Sequence, residues 1–192
     1  MRRRFCKRLT IAAAVLLWAG LTPPLAAQER EEAAAYSQAF LHWQFGTRLH
    51  MLGEYRSAVA QFEQSIELYP TAEGHTYLGW SLSELGRLED AIAECETAIT
   101  LDPDYGNPYN DIGVYLIELD RAEEAIPWLE KALAAGRYCC YQFPHFNLGR
   151  IFLMEGRIDA ARRAFGRALE IDPAYLPARQ GLALIREQGE TL

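Results

Sequence analysis

An all-α solenoid of antiparallel helix pairs is the fold class that this 192-residue sequence predicts. Three observations predict it. An apolar residue followed by glycine recurs at Phe45-Gly46, Leu78-Gly79, Ile112-Gly113 and Leu148-Gly149, with glycine-to-glycine spacings of 33, 34 and 36. Twelve residues after each glycine stands an alanine (Ala58, Ala91, Ala125, Ala161), and seven residues later another small residue (Ser65, Ala98, Ala132, Ala168). Five residues beyond that, three of the four copies carry proline: Pro70, Pro103 and Pro173.

Each copy reads as two helices, A and B. The recurrent glycine falls within helix A, where it costs about 1 kcal/mol against alanine. Close approach of helix B, through the matching alanines, is the packing reason for keeping it. Larger apolar residues fill the contact: Phe62, Leu129 and Phe165 at one shared position, Ile66, Ile99, Leu133 and Leu169 at another. Their spacing of three and four residues defines one helical face. Gly53, Gly86 and Gly156 come after helix A, where a left-handed residue is tolerated best as glycine; the third copy has Asp120 there. Helix B stops ahead of the prolines. The third copy departs again, with Arg137 in place of proline, Gly136 expected to supply the stop, and Pro127 inside helix B.

The joint pattern of glycine, alanine and proline resembles the tetratricopeptide repeat, a helix-turn-helix unit of 34 residues. The resemblance covers about residues 36–188. It implies a right-handed superhelical solenoid with repeats at about 39–71, 72–105, 106–141 and 142–175 and a capping helix over 176–188. Pro177 suits the first turn of that cap, and Arg179, Gln180, Arg186 and Glu187 give it a polar outer face. Residues 28–38 extend the first helix.

Residues 1–27 read differently. Arg2, Arg3, Arg4, Lys7 and Arg8 make a basic start, Leu9–Leu21 is an apolar run too short for a comfortable membrane span, and Pro23-Pro24 precedes the small-residue site Leu25-Ala26-Ala27. That is the layout of a secretory signal peptide, and it predicts cleavage after Ala27 and a periplasmic protein, the alternative being an uncleaved anchor. No cysteine directly succeeds the site, which disfavours a lipoprotein. Arg2-Arg3-Arg4-Phe5-Cys6-Lys7 looks like a twin-arginine export motif. General secretion is favoured over that route, because a cofactor-free helical repeat of low contact order has no need to be exported folded.

The whole chain carries a formal charge of −7. Five basic residues and no acidic ones lie in the first 27, so the remainder carries −12. From Gln28 to Gly149 there are 7 basic and 20 acidic residues, and from Arg150 onward 7 and 6. An acidic body excludes nucleic acid, which needs a basic footprint, and disfavours anionic membrane surfaces. Glu63, Glu67, Glu89, Asp90, Glu123 and Glu124 read as solvated helix charges.

No nucleophile–base pair, phosphate loop or metal motif stands out, so no enzyme and no cofactor is expected. His42, His75 and His145 occupy one repeat position. Repeats stacked about 10 Å apart cannot bring three nitrogens within about 2.1 Å of one ion. Cys139-Cys140 lies in the insertion Tyr138–Pro144 that stretches the third spacing. A strained vicinal disulfide, a free pair, and a bridge to Cys95 are all compatible with an oxidising compartment. Cys95 itself points to the core.

The resemblance implies a concave surface lined by helix A, with ligand-facing positions three before, one after and four after the glycine. In this chain these are Trp43, Thr47 and His50; Thr76, Trp80 and Ser83; Asn110, Val114 and Ile117; Phe146, Arg150 and Leu153, with Phe40 and Phe143 at the rims. Some family members hold a peptide carboxylate there with lysines, but Lys131, on helix B, is the only lysine after residue 27. The expected function is a non-catalytic interaction module or scaffold of the periplasm, taking a peptide or helix of a protein partner into an aromatic groove. A thiol- or metal-dependent envelope assembly factor using Cys139 and Cys140 is the alternative, and self-association through an unsealed solenoid end is a third reading.

The signal layout makes a direct prediction. N-terminal sequencing of protein recovered from the periplasm should read from Gln28 or a close neighbour; an intact Met1 chain in the membrane fraction would refute cleavage.

Overall fold

The computed structural model describes residues 25–190. The basic start, the apolar run and Pro23-Pro24 lie outside them. Among the described residues nine helices account for the fold: α1 (Leu25–Met51), α2 (Tyr55–Leu68), α3 (Ala72–Glu84), α4 (Leu88–Leu101), α5 (Gly106–Glu118), α6 (Ala122–Ala134), α7 (Gln142–Met154), α8 (Ile158–Ile171) and α9 (Leu176–Glu190). They form four A–B pairs and a final helix, as the repeat pattern predicts. The first helix begins at Leu25 rather than Gln28, so its extension takes in the expected cleavage site.

The glycines do what their cost requires. A Cβ on Gly46 would lie 2.8 Å from the Phe62 ring, on Gly113 2.4 Å from Leu129, and on Gly149 2.5 Å from Phe165. Each partner is 16 residues downstream, on helix B. In the second repeat that position is Cys95, and a Cβ on Gly79 would meet its sulfur at 3.4 Å and the Ala91 carbonyl at 3.2 Å. A small thiol there leaves more room. Phe165 is gripped twice, since a Cβ on Gly181 of α9 would also collide with it, at 2.7 Å. The matching alanines Ala58, Ala91, Ala125 and Ala161 are all wholly buried, as are Ala98, Ala132 and Ala168, with Ser65 nearly so. Ser65 Oγ donates to the Ala39 carbonyl at 2.8 Å, fixing α2 against α1.

The turns are equally regular. Gly53, Gly86 and Gly156 have φ of +77°, +73° and +71°, and Asp120 takes the same left-handed conformation at +58°. Thr71 caps α3 by accepting a hydrogen bond from the Gly74 amide at 3.0 Å. Pro127 sits within α6 without ending it. The third repeat stops differently from the expectation. Ala135, in extended conformation, ends α6, and Gly136 is not among the residues of positive φ.

The chain just after α6 is the irregular feature with the largest structural role. The Arg137 amide donates to Asp104 O at 2.8 Å, and the Gly106 amide donates to Arg137 O at 3.1 Å. The Arg137 guanidinium lies 4.1 Å from the centre of the Tyr105 ring and pairs with Glu73 at 2.7 Å and Asp102 at 2.6 Å. One residue thereby clamps the chain leaving α6 to the α4–α5 turn and to α3. Tyr138 comes next and enters the interior, packed on Gly106 of α5, where a Cβ would lie 2.4 Å away. The insertion thus folds onto repeat three, with Tyr138 packed beside Ala132 and Ala135.

Each helix B packs on its own A helix and on the next A helix. Successive A helices touch one another, whereas among the described residues no two B helices do. The A helices therefore line the inside of the curve and the B helices the outside. Buried side chains run continuously from Ala58 to Ala164, and a second cluster around Phe165 seals α8 against α9 through Ala178 and Ile185.

Glycine substitution separates close packing from looser contact. Gly149→Ala drives a Cβ into a ring already wedged by Gly181, so it should lower stability by about 1–3 kcal/mol. Gly79→Ala, whose Cβ would press on the Ala91 carbonyl at 3.2 Å and meet the Cys95 thiol at 3.4 Å but collide with no ring, should cost less. Equal urea midpoints for the two variants would contradict this.

Candidate functional site

The inner face is built from the A helices, and one row of it is polar. Asp111 on α5 is the centre. Trp80 Nε1 on α3 donates to Asp111 Oδ2 at 2.5 Å, and Asn110 Nδ2 donates to Oδ1 at 3.4 Å. From α7, Asn147 Nδ2 donates to Asn110 Oδ1 at 3.1 Å, and Arg150 Nη1 donates to Asn147 Oδ1 at 3.3 Å. Asn110, Asp111 and Asn147 are all buried. The donors face one way along this ladder and end on the Asp111 carboxyl group. Burial outweighs the Trp80 and Asn110 hydrogen bonds and raises the Asp111 pKa from 3.8 to about 7.

A second row is aromatic. Tyr36, Phe40 and Trp43 are spaced along α1, with ring centres 6.5 Å and then 5.7 Å apart and planes tilted by only 14° and 17°. Trp43 meets Tyr77 of α3 edge-on at 5.1 Å, and Tyr77 meets Trp80 at 4.7 Å. His50 reaches both the Trp80 ring and Ser81, sharing a 3.0 Å hydrogen bond with the hydroxyl. Burial lowers the His50 pKa, with Glu84 opposing, so it is neutral at pH 7. Where this row meets the α2–α3 turn, Tyr36, Ala39, Phe40, Trp43, Ser65, Thr71 and Glu73 line a cleft of about 240 Å³. The Trp43 indole N–H is buried with no acceptor among the described residues.

The residues expected to face a ligand divide on this surface. Trp43, Thr47, His50, Trp80, Ser83, Val114, Phe146, Arg150 and Leu153 keep part of their surface exposed. Thr76 is wholly buried and its hydroxyl donates to the Ala72 carbonyl at 2.7 Å; Asn110 and Ile117 are buried too. All three are packed away between helices rather than on the open surface, so an open-groove role does not fit them. Sequence reasoning misses Tyr77, Asp111 and Asn147, two before the glycine, together with Tyr36 and Glu73. The signal is present in the chain: position −2 reads Gln44, Tyr77, Asp111, Asn147, a hydrogen-bonding residue in every repeat.

The histidines do not converge. His42 bonds Gln61 at 2.9 Å and His75 bonds Glu94 at 2.6 Å, each 19 residues along on its own helix B; Tyr109 and Trp128, again 19 apart, meet ring to ring. Among the described residues no three His, Cys, Asp or Glu side chains group as metal ligands. Cys95, Cys139 and Cys140 are free thiols. Burial, with the neighbouring Cys139, pushes the Cys140 thiol up to about 11, which leaves it a poor thiolate at neutral pH. No described helix is long and apolar enough to cross a membrane.

This architecture, a curved stack of helix pairs with a lined inner face, defines a helical-repeat scaffold. Sequence profiles of the tetratricopeptide repeat match residues 45–106, 109–137 and 143–175, and the chain belongs to the tetratricopeptide repeat family. No curated protein matches it significantly. Among solved structures it is similar to MamA (22% identity, TM-score 0.64, covering 78% of this chain and 81% of that one). It is also similar to PilW, described as a widely conserved type IV pilus biogenesis factor (22%, 0.72, 78% and 69%). A third is YrrB, described as a TPR protein with an unusual peptide-binding site (22%, 0.60, 86% and 82%). At these identities the likeness is one of fold.

Asp111 gives the site a testable pH signature. A carboxyl whose pKa is higher folded than unfolded binds its proton more tightly in the fold. Its contribution is complete below its ordinary value of 3.8 and is lost as pH rises through about 7. Asp111→Asn keeps an acceptor for Trp80 and removes the titration. The variant should gain stability relative to wild type as pH rises from about 4 to about 7 in thermal melts; parallel pH profiles would contradict the assignment.

Proposed function

We propose that this protein is an exported, periplasmic interaction module that takes a peptide or helical segment of a protein partner onto its inner face. The observation that carries the reading is the half-exposed aromatic row from Trp43 through Tyr77 to Trp80, continued past the ladder by Phe146 and Arg150. Aromatic side chains and arginine are the residues that anchor interfaces, because they contribute large contact area, the aromatics with few rotatable bonds. The proposed contact residues are Trp43, Thr47, His50, Trp80, Val114, Phe146 and Arg150. Thr76 and Asn110 act behind them, as packing and as part of the ladder. The secretory layout of residues 1–27 and the peptide-site description of YrrB are in keeping with this reading. The raised Cys140 thiol gives the thiol-dependent alternative no support.

Site-specific photo-cross-linking in living cells tests it. A photoreactive residue at Thr47, Val114 or Leu153, on the inner face, should yield a discrete cross-linked partner. The same residue at exposed Thr97 or Glu130 on the outer helices should not. Cross-links arising only from the outer positions would move the site off the groove.

A further inference from the structure

We infer that the cleft at the start of the inner face is an arginine-reading subsite, so that the segment this protein binds carries a guanidinium side chain there; the inference rests on the groove reading and adds the partner's chemistry to it. The cleft is walled by three nearly parallel rings, Tyr36, Phe40 and Trp43, placed four and three residues apart on one side of α1. Tyr36 and Phe40 are 50% and 44% exposed, which leaves ring surface open to a ligand. A ring face carries negative potential and attracts a cation laid over it, a planar guanidinium most often.

Carboxylates frame the rings. Glu73 stands at the edge of the cleft, and Glu32 accepts a hydrogen bond from the Tyr69 hydroxyl, whose ring packs edge-on against Tyr36. The surrounding field has the same sign, because the segment from Gln28 to Gly149 holds 20 acidic residues against 7 basic ones. A purely apolar anchor would gain nothing from that field, and an acidic one would be repelled by it.

The protein already builds this recognition once for itself. Arg137 lies over the Tyr105 ring and pairs with Glu73 and Asp102. The cleft offers the same two ingredients, an aromatic face in Tyr36 and Phe40 and a carboxylate in Glu73, which lines the cleft while holding Arg137 through Oε1. Arginine is therefore the side chain that matches it, rather than lysine, whose compact ammonium cannot stack as a plane.

The test is a titration of the isotope-labelled protein, monitored by NMR at the Trp43 indole N–H. The probes are N-acetyl-arginine amide and its neutral isostere N-acetyl-citrulline amide. The arginine probe should shift the indole resonance and saturate, with the citrulline probe at least about fivefold weaker. Phe40→Leu keeps apolar volume but removes a π face, and Glu32→Gln removes a framing charge without touching the Arg137 clamp; each should weaken the arginine probe. Equal response to the two probes, or no response to arginine, overturns the subsite. The two readings fail separately. Cross-links from Thr47 and Val114 without an arginine response leave the groove standing and sink the cleft. An arginine response with cross-links only from outer positions sustains the cleft and sinks the wider groove.

Discussion

Everything in this molecule depends on letting a helix lean on a glycine. Gly46, Gly113 and Gly149 each receive a large side chain from the partner helix at a distance that no Cβ would permit. That contact sets how closely A and B approach, and the buried alanines carry the approach along the pair. Once the pair is fixed, the next A helix has a defined surface to land on, and the curvature with A inside and B outside is the accumulated result. The second repeat shows the rule by its exception: a cysteine where others have phenylalanine or leucine lets Gly79 sit under less pressure. Phe165, held between Gly149 and Gly181, uses one ring to close two contacts and so ties the capping helix to the last repeat.

The parts of this plan that are legible in the sequence are those that a single repeat specifies locally. Glycine under a large residue, alanine at the crossing, glycine after helix A and proline after helix B each act within about 34 residues and are written several times over. The parts that are not legible lie between repeats. In the sequence Arg137 stands only as a lost proline, and its role emerges once the chain after α6 is seen lying on the α4–α5 turn. Asp111 reads as one more acid in an acidic protein. Its burial and its link to Trp80, 31 residues earlier, require knowing that α3 and α5 touch. The repeat register puts Thr76 and Asn110 on the right helix and the right row. Packing between helices then decides which members of the row emerge: Trp43 and Phe146 keep part of their surface exposed, and Thr76 and Asn110 do not.

The inner face thus has two layers with different work. The buried layer is polar and directional, running from Arg150 through two asparagines to Asp111 and meeting Trp80 from the other side. The outer layer is aromatic and faces solvent. Trp80 belongs to both, since its indole N–H holds the carboxyl group while its ring continues the row to Tyr77 and His50. A tryptophan with this double duty is expensive to remove, because truncation strands a buried carboxyl group. Trp43, whose indole N–H has no acceptor among the described residues, is the cleaner probe of binding.

The ladder also changes how the molecule should come apart. In a simple repeat array each unit feels only its neighbours, and unfolding frays inward one unit at a time. Here a single carboxyl group joins α3, α5 and, through Asn110, α7, while Arg137 ties α3, α4 and the chain after α6 together. These added neighbour contacts favour repeats two, three and the first helix of four opening together, and repeat one, joined without either device, exchanging its amide protons separately. The cooperative unit is larger than the unit of sequence repetition, so the period written in the chain is not the period of its stability.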